Sequence, residues 1–354
     1  MMKGALDRVR PSISRNELGW LATLSDVESR LIFVERDGDT TRYRTETGPF
    51  EPEYLEGLPK RDWTLLVHDL EKHLPEMRAL FDHVDFIPDW RIDDLMVSFA
   101  APGGGVGPHR DNYDVFLCQG TGVRNWKFTA NDVPDDPLAS TELSLLEEFG
   151  GDQDHDAAQG DVLYLPPGVA HWGVAKRACM TYSIGMRAPQ MSDFEPLKTS
   201  GPAMTDAFYQ DPDLASSESR SGYISASAAA RACALMNAPR KQQDIAAELI
   251  GVFATQTKDW LLPEGATADE ADQLLDDLRQ GGRLRVHGMA KIAFDDRNVY
   301  VNGQNHAISS DLKPLLAEIC SARTLHGDQM QTDNQAKLAH WLLTAGALEI
   351  PENL

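Results

Sequence analysis

The chain has 354 residues, of which 42% are hydrophobic and 25% are charged, as in ordinary globular proteins. Its formal net charge of -22 argues against a nucleic-acid-binding protein, because phosphates are bound by Lys and Arg. No run approaches the roughly 18 apolar residues of a membrane span, and the four cysteines are widely spaced, so we expect reduced thiols and a cytoplasmic protein. The acidic balance either aids solubility or indicates a basic protein partner.

Short segments of alternating apolar and polar residues, separated by Gly, Pro and Asp, run up to about residue 189. Those that predict strands are LMVSFA (95–100), YDVFLCQ (113–119), NWKFTA (125–130), DVLYLP (161–166) and CMTYSIGM (179–186). Many short strands at this spacing are typical of a jelly-roll sandwich or barrel, such as the double-stranded β-helix. We therefore expect a mainly β domain over residues 1–189.

The pattern becomes helical over residues 190–262. A Ser-rich run at 216–221 leads into apolar residues at three- and four-residue spacing. One face of the second predicted helix carries Ile245, Leu249, Val252 and Phe253, which a thin helical segment could not bury alone. The segment therefore predicts a homodimer contact.

Residues 263–354 predict a winged-helix domain. Thr267 and Glu270 have capping-box spacing before a helix at 268–280, and a hairpin is expected over 284–303 with its turn at 295–298. Two further helices are expected near 311–323 and 333–345. Such folds often bind DNA, but this region is net acidic and its last helix carries Lys337 as its only cation, so we expect no DNA binding.

Three His-x-Asp triplets occur, at residues 83–85, 109–111 and 326–328, so spacing alone does not identify a metal site. The first is not followed by clean alternation, and the third lies between predicted helices. His109 and Asp111 follow a glycine-rich run and precede alternating residues, which places both side chains and Tyr113 on one face. The glycine run lacks the Lys and Ser/Thr of a phosphate-binding loop, and we expect it to allow a tight turn.

A third candidate ligand, His171, follows a strand and a Pro-Pro-Gly turn in GDVLYLPPGVAHWG (160–173). In a double-stranded β-helix such a turn brings a late strand beside an early one, so His171 can join His109 and Asp111. Two imidazoles and one carboxylate, with open positions opposite, are the ligand set of non-haem Fe(II) oxygenases. The alternative is that the three polar residues are hydrogen-bonded to one another in the mouth of the barrel.

A predicted inward-facing arginine, Arg124, supports the metal interpretation. It shares a face with Trp126 and Phe128, and a cation in an apolar barrel is costly unless it is paired. Its planar guanidinium is suited to binding a carboxylate through two hydrogen bonds, as a dicarboxylate cosubstrate that also chelates the iron would require. Ser98 and Thr181, at inward positions of neighbouring strands, are candidates for further contacts to that cosubstrate.

Four other residues form a candidate substrate pocket. Asp94 and Met96 alternate on the strand before the glycine run, Tyr113 follows the candidate ligands, and Ser183 follows Thr181 on the last strand. An inward carboxylate could bind a guanidinium while Met96 and Tyr113 line its aliphatic part. The alternative is that Asp94 is a turn residue next to Asp93.

The stretch HRDNYDVFLCQGTGVRNWKF (109–128), with PGGGVGP before it and GDVLYLPPGVAHW after it, resembles the JmjC-type bacterial ribosomal oxygenases. The resemblance covers nearly the whole chain, since that family also has a helical dimerisation region and a winged helix. It implies a cupin-fold hydroxylase that uses Fe(II), 2-oxoglutarate and O2, with His109, Asp111 and His171 as iron ligands and Arg124 as the partner of the cosubstrate carboxylate. It also implies, as substrate, an arginine of a basic large-subunit ribosomal protein.

Four alternatives remain open at this point. A histidyl hydroxylase or an N-methyl demethylase of the JmjC type would share the three ligands, and a demethylase would release formaldehyde. A cupin that only binds ligands would release no succinate. A winged-helix regulator would need a basic surface, which the sequence does not contain.

Overall fold

The computed structural model describes residues 1–38, 40–131, 145–146, 149–197, 208–211 and 222–351. The chain divides into two compact units: Met1–His83 with Asp93–Met186, and Val84–Ile92 with Arg187–Leu354. The expected division into three domains at residues 189 and 262 stays a prediction. The Ser-rich run at 216–221 lies outside the described residues.

The first unit is mainly β. Its strands are β1 (Ser29–Asp37), β2 (Thr40–Thr47), β3 (Trp63–Val67), β4 (Ile92–Ala100), β5 (Val115–Thr121), β6 (Val123–Thr129), β7 (Gln153–Ala158), β8 (Val162–Leu165), β9 (Ala170–Ala175) and β10 (Cys179–Met186). Its helices are α1 (Arg15–Leu21), α2 (Pro52–Glu56), α3 (Leu70–His73) and a 3-10 segment, Pro75–Val84. The five strands predicted from alternation all form, with small shifts at their ends.

The strands form two sheets that pack against each other. The larger sheet has the order β2-β1-β3-β4-β10-β5-β8, and the smaller one has the order β7-β6-β9. Val115 and Leu117 of β5 share a buried cluster with Trp126 of β6 and Ala157 of β7. Burial of apolar side chains between the sheets thus closes a double-stranded β-helix, which confirms the predicted fold class.

The second unit combines helices with short strands. Its helices are α4 (Ala226–Leu235), α5 (Gln243–Thr255), α6 (Ala268–Arg279), α7 (Lys313–Ala322) and α8 (Asp333–Thr344), with short 3-10 turns at Asp89–Arg91, Met191–Leu197, Arg240–Gln242, Asp259–Leu261, Ser310–Leu312 and Gly327–Gln329. Its strands are β11 (Arg283–Val286), β12 (Ile292–Phe294), β13 (Asn298–Val301), β14 (Gln304–Ala307), β15 (Thr324–His326) and β16 (Leu348–Glu349).

The winged-helix prediction is confirmed, with one correction. Thr267 and Glu270 form both hydrogen bonds of the capping box before α6. The expected hairpin over 284–303 is wrong in its first strand, because β11 pairs with β15 and β16 and does not pair with β12. The chain turns at His287, whose carbonyl accepts from the Ala290 amide, and the hairpin is formed by β12 and β13.

The two helices of the predicted dimer segment pack on this winged helix. The buried side of α5 consists of small and aliphatic residues, and it shares a cluster with Ala293 and Tyr300 of the hairpin. Leu249 and Val252 of the predicted dimer face pack against that cluster, so they are partly covered within the chain, while Ile245 is 42% exposed. Among the described residues, no helix is both long enough and apolar enough to cross a bilayer.

Candidate active site

The three predicted metal ligands lie together at one end of the barrel. His109 and His171 form an isolated antiparallel bridge, in which the His109 amide donates to the His171 carbonyl at 3.0 Å and the reverse bond measures 2.8 Å. This bridge extends the smaller sheet beyond β9. Asp111 follows two residues later; its carbonyl accepts from the Gly168 amide at 2.8 Å, and its carboxylate lies beside both imidazoles.

The side-chain distances suit one small cation. Ligand atoms of His109, Asp111 and His171 all lie within 4.8 Å of one another. The Asp111 oxygens are 4.0 Å from His109 Nε2 and 3.7 Å from His171 Nε2. Two atoms that each lie about 2 Å from a shared ion are at most about 4 Å apart, so both Asp111–imidazole distances are at the upper limit for a shared cation, and the three residue types are those of a facial triad.

Hydrogen bonds to the backbone fix both rings in the orientation that metal binding needs. His109 Nδ1 lies 3.0 Å from the carbonyl of Gly107, and His171 Nδ1 lies 3.0 Å from the carbonyl of Val169. A carbonyl only accepts, so each Nδ1 carries the proton and each Nε2 presents a lone pair toward Asp111. This arrangement is that of two metal-binding imidazoles, and it favours a metal site over three residues bonded only to one another.

Burial shifts the protonation of the site. It lowers the pKa of His171 to about 3, with the neighbouring His109 adding to the effect, so His171 is neutral at physiological pH. Burial also raises the pKa of Asp111, while His109 opposes that shift. A carboxylate withdrawn from water in this way is stabilised by a bound cation.

The glycine-rich run allows close backbone contact beside the triad. A Cβ atom at Gly105 would lie 2.4 Å from the carbonyl oxygen of Gly173, which is in β9 two residues after His171. A Cβ atom at Gly173 would in turn lie 2.5 Å from the Trp126 ring. Both contacts exclude any larger side chain, so these glycines let β9 pack between the glycine run and β6.

Arg124 projects into the same barrel. In the pairing of β6 with β9, Phe128 lies opposite His171 and Arg124 lies opposite Ala175, so Arg124 and His171 share one face. The Arg124 residue is 4% exposed and its guanidinium lies 5.6 Å from the centre of the Trp126 ring. Its Nε and one terminal nitrogen find no hydrogen-bond partner within the described chain. A buried cation in this state is a ready binding site for an anion.

The other two predicted cosubstrate residues are buried on the large sheet. Ser98 lies in β4 and is 1% exposed. Thr181 lies in β10 opposite Gln119 of β5, and its hydroxyl donates to Gln119 Oε1 at 3.2 Å. Gln119 was not singled out from the sequence, although it is a polar residue at the inward parity of Val115 and Leu117.

The substrate-pocket residues lie on neighbouring strands. Asp94 is inside β4, so it is not the turn residue of the alternative interpretation. Met96 is half-buried on the same strand, Ser183 is buried on β10, and Tyr113 is 38% exposed just before β5. The Tyr113 hydroxyl bonds to the Asp111 carboxylate, and the nearby charges of Asp111 and Asp94 add to burial in raising the pKa of Tyr113.

Comparison with known proteins agrees with this site. A model of the JmjC domain matches residues 79–194, and a model of the ROXA-like winged helix matches residues 225–349. Fold and site together define a JmjC oxygenase, with a double-stranded β-helix that carries a His-Asp-His triad.

Whole-chain relatives define the family more narrowly. The ribosomal protein uL16 3-hydroxylase of Escherichia coli is 33% identical over 340 residues, which cover 91% of this chain and 85% of the relative. The crystal structure of the Escherichia coli ribosomal oxygenase YcfD has a TM-score of 0.72 at 29% identity and covers 99% of this chain and 94% of YcfD. The YcfD complex with cobalt and 2-oxoglutarate has a TM-score of 0.69 at 30% identity, with 98% and 93% covered. The chain belongs to the ribosomal oxygenases.

Proposed function

We propose that this protein is an Fe(II)- and 2-oxoglutarate-dependent oxygenase that hydroxylates an arginine of ribosomal protein uL16. The observation that carries the oxygenase proposal is the buried Arg124 guanidinium, which lacks a complete set of partners within the described residues and shares a face with the His171 ligand. The uL16 substrate is supported by the name of the Escherichia coli relative. The choice of arginine is supported by the family resemblance and by the acidic pocket beside the triad.

In this mechanism the chain positions the reactants and excludes water. His109, Asp111 and His171 would hold iron, and Arg124 would bind the distal carboxylate of 2-oxoglutarate. Iron, 2-oxoglutarate and O2, when bound, supply the oxidising power that inserts oxygen into an unactivated C–H bond. Trp126 covers one face of the Arg124 guanidinium, which keeps water from competing with the cosubstrate carboxylate.

The substrate arginine would be held by the pocket of Asp94, Met96, Tyr113 and Ser183. The Asp94 carboxylate provides the negative charge that a guanidinium needs, and Tyr113 provides a ring beside it. If so, Asp94→Ala reduces hydroxylation of uL16 far more than it reduces 2-oxoglutarate turnover without uL16. Equal loss of both activities would show that Asp94 supports the fold or the metal and does not bind substrate.

The direct test incubates the purified protein with Fe(II), 2-oxoglutarate and recombinant uL16, followed by mass spectrometry of uL16 peptides. We expect one arginine to gain the mass of one oxygen atom with matching release of succinate and without formaldehyde. Oxygen on a histidine would instead identify a histidyl hydroxylase, and formaldehyde would identify a demethylase. If no succinate is released, the protein binds ligands without acting as an oxygenase.

The remaining features concern partners and location. A basic ribosomal protein is a suitable partner for a chain with a net charge of -22, and its synthesis and assembly would place the enzyme in the cytoplasm. A homodimer formed through α5 would cover Ile245, which is 42% exposed.

A further inference from the structure

The Asp94 carboxylate is bonded to the protein through one oxygen. His68 Nδ1 lies 3.3 Å from Asp94 Oδ2, and the Asp69 amide donates to the same oxygen at 3.4 Å. A carboxylate only accepts, so His68 donates through Nδ1. Within the part of the chain that the structure describes, no donor bonds the other oxygen, Oδ1. The side chains of His68 and Asp94 are 22% and 18% exposed, so the pair is reachable from solvent.

The segment that carries His68 is itself fixed by polar contacts. Asp69 has a φ of 55°, an unusual backbone conformation for a residue other than glycine. Glu71 Oε2 accepts from the Leu95 amide at 2.9 Å, which fixes the residue next to Asp94. Lys72 is paired with Asp69, and both residues are buried. The segment 68–72 therefore holds β4 at two consecutive residues.

The Oδ1 side of Asp94 lies against Gly185, where a larger side chain would crowd this oxygen. A Cβ atom at Gly185 would lie 3.2 Å from Asp94 Oδ1 and 3.9 Å from the Tyr113 ring. With glycine at that position, Oδ1 stays accessible between β4, β10 and Tyr113. The two oxygens thus have different environments: Oδ2 is bonded to the protein, and Oδ1 faces the candidate pocket.

We propose that His68 is a positioning residue for substrate recognition, because its hydrogen bond holds the Asp94 carboxylate with Oδ1 directed at the substrate guanidinium. This inference rests on the proposed function, in which Asp94 binds the arginine of uL16. Among the described residues, the polar contact of the His68 side chain is with Asp94 and not with a metal ligand or Arg124, so its contribution belongs to the binding of uL16 and not to the binding of 2-oxoglutarate.

The test compares His68→Ala with His68→Asn, because the Asn amide donates from nearly the same position as Nδ1. We expect His68→Ala to raise the KM for recombinant uL16 by about ten-fold, the usual effect of losing a hydrogen bond to a charged group. His68→Asn should recover most of that loss. His83→Ala, which removes an exposed histidine of the same unit, serves as the matched control.

A double-mutant cycle separates positioning from a general structural effect. In an Asp94→Asn background, His68→Ala should add little further loss, because the carboxylate that it positions is gone. Additive losses, or equal losses in His68→Ala and His68→Asn, would overturn the inference. If the wild-type protein leaves uL16 unmodified, the proposed function fails and the role of His68 fails with it; if wild type is active and His68→Ala has the wild-type KM, only the inference fails.

Discussion

Arg124 illustrates at the residue scale how one side chain can be costly for folding and necessary for function. Its charge is buried, and two of its nitrogens have no partner within the described residues. Such a group destabilises the protein until an anion pairs with it. Fold stability and cosubstrate binding therefore make opposite demands on this position.

The first prediction follows from that opposition. Arg124→Met should weaken 2-oxoglutarate binding by about 3–5 kcal/mol, or roughly two to four orders of magnitude, while raising the thermal unfolding midpoint of the ligand-free protein. Arg124→Lys keeps the charge but loses the bidentate geometry, so its affinity for 2-oxoglutarate should lie between those of wild type and Arg124→Met. Calorimetric titration and thermal unfolding check both effects. Wild-type affinity for 2-oxoglutarate in Arg124→Met would place the carboxylate elsewhere.

The sequence reveals some site residues and not others for a physical reason. His109, Asp111 and Tyr113 are close in sequence, and the parity of a strand puts them on one face. His68 and Gly185 join Asp94 only through the order of β3, β4 and β10 in the folded sheet. Neither carries a motif, since one is a histidine after an apolar strand and the other is a glycine inside one. A residue that tertiary pairing brings to the site and that has no local motif, such as His68 or Gly185, cannot be predicted from the sequence.

At the scale of elements, local sequence patterns do not predict the order of strands in the winged helix either. The turn at 295–298 is formed by consecutive residues, and the sequence predicts it. The partners of β11 come about forty and sixty residues later in the chain. Leu284 pairs with Leu325, and Val286 pairs with Leu348. Alternation indicates that a strand forms, and it does not indicate which strand lies beside it. The capping box before α6 depends on four consecutive residues, and it formed as predicted.

The short helix α3 gives a prediction about pH. Burial raises the pKa of Glu71 from its usual 4.5 to about 7 against the opposing charge of Lys72. The contribution of Glu71 to stability is therefore fully present below pH 4.5 and is lost as the pH rises through about 7. Glu71→Gln, which cannot ionise, should match wild type in urea unfolding at about pH 4 and exceed it by up to about 3 kcal/mol at about pH 8. A stability difference that does not change with pH would contradict this account.

The helix α5 gives a prediction about assembly. Ile245 of α5 is 42% exposed and is not part of the buried cluster. If α5 is the dimer contact, Ile245→Asp places a charge in it and should convert a dimer into a monomer in light scattering at micromolar concentration. Ile350→Asp, which changes an isoleucine that is 60% exposed and lies outside α5, is the matched control. A wild-type monomer would contradict the proposed contact.

At the scale of the whole molecule, charge should govern the encounter with substrate. The net charge of -22 attracts a basic protein, and salt screens that attraction over about 8 Å at physiological ionic strength. We therefore expect the KM for uL16 to rise steeply with added NaCl. Turnover of 2-oxoglutarate without uL16, measured in the same salt series, is the control and should change less. A KM for uL16 that is independent of salt would mean that the acidic surface serves solubility alone.

The arginine hydroxylation of uL16 is tested most directly in cells. Mass spectrometry would compare uL16 from wild-type cells, from a strain lacking this gene, and from that strain carrying either the wild-type gene or the Asp111→Ala variant. We predict that one uL16 arginine carries an added oxygen in wild-type cells and loses it in the deletion strain. The wild-type gene should restore the oxygen, while Asp111→Ala should not, because it removes the only anionic ligand of the triad. An unmodified uL16 arginine in wild-type cells, or an added oxygen that persists in the deletion strain, would contradict the account.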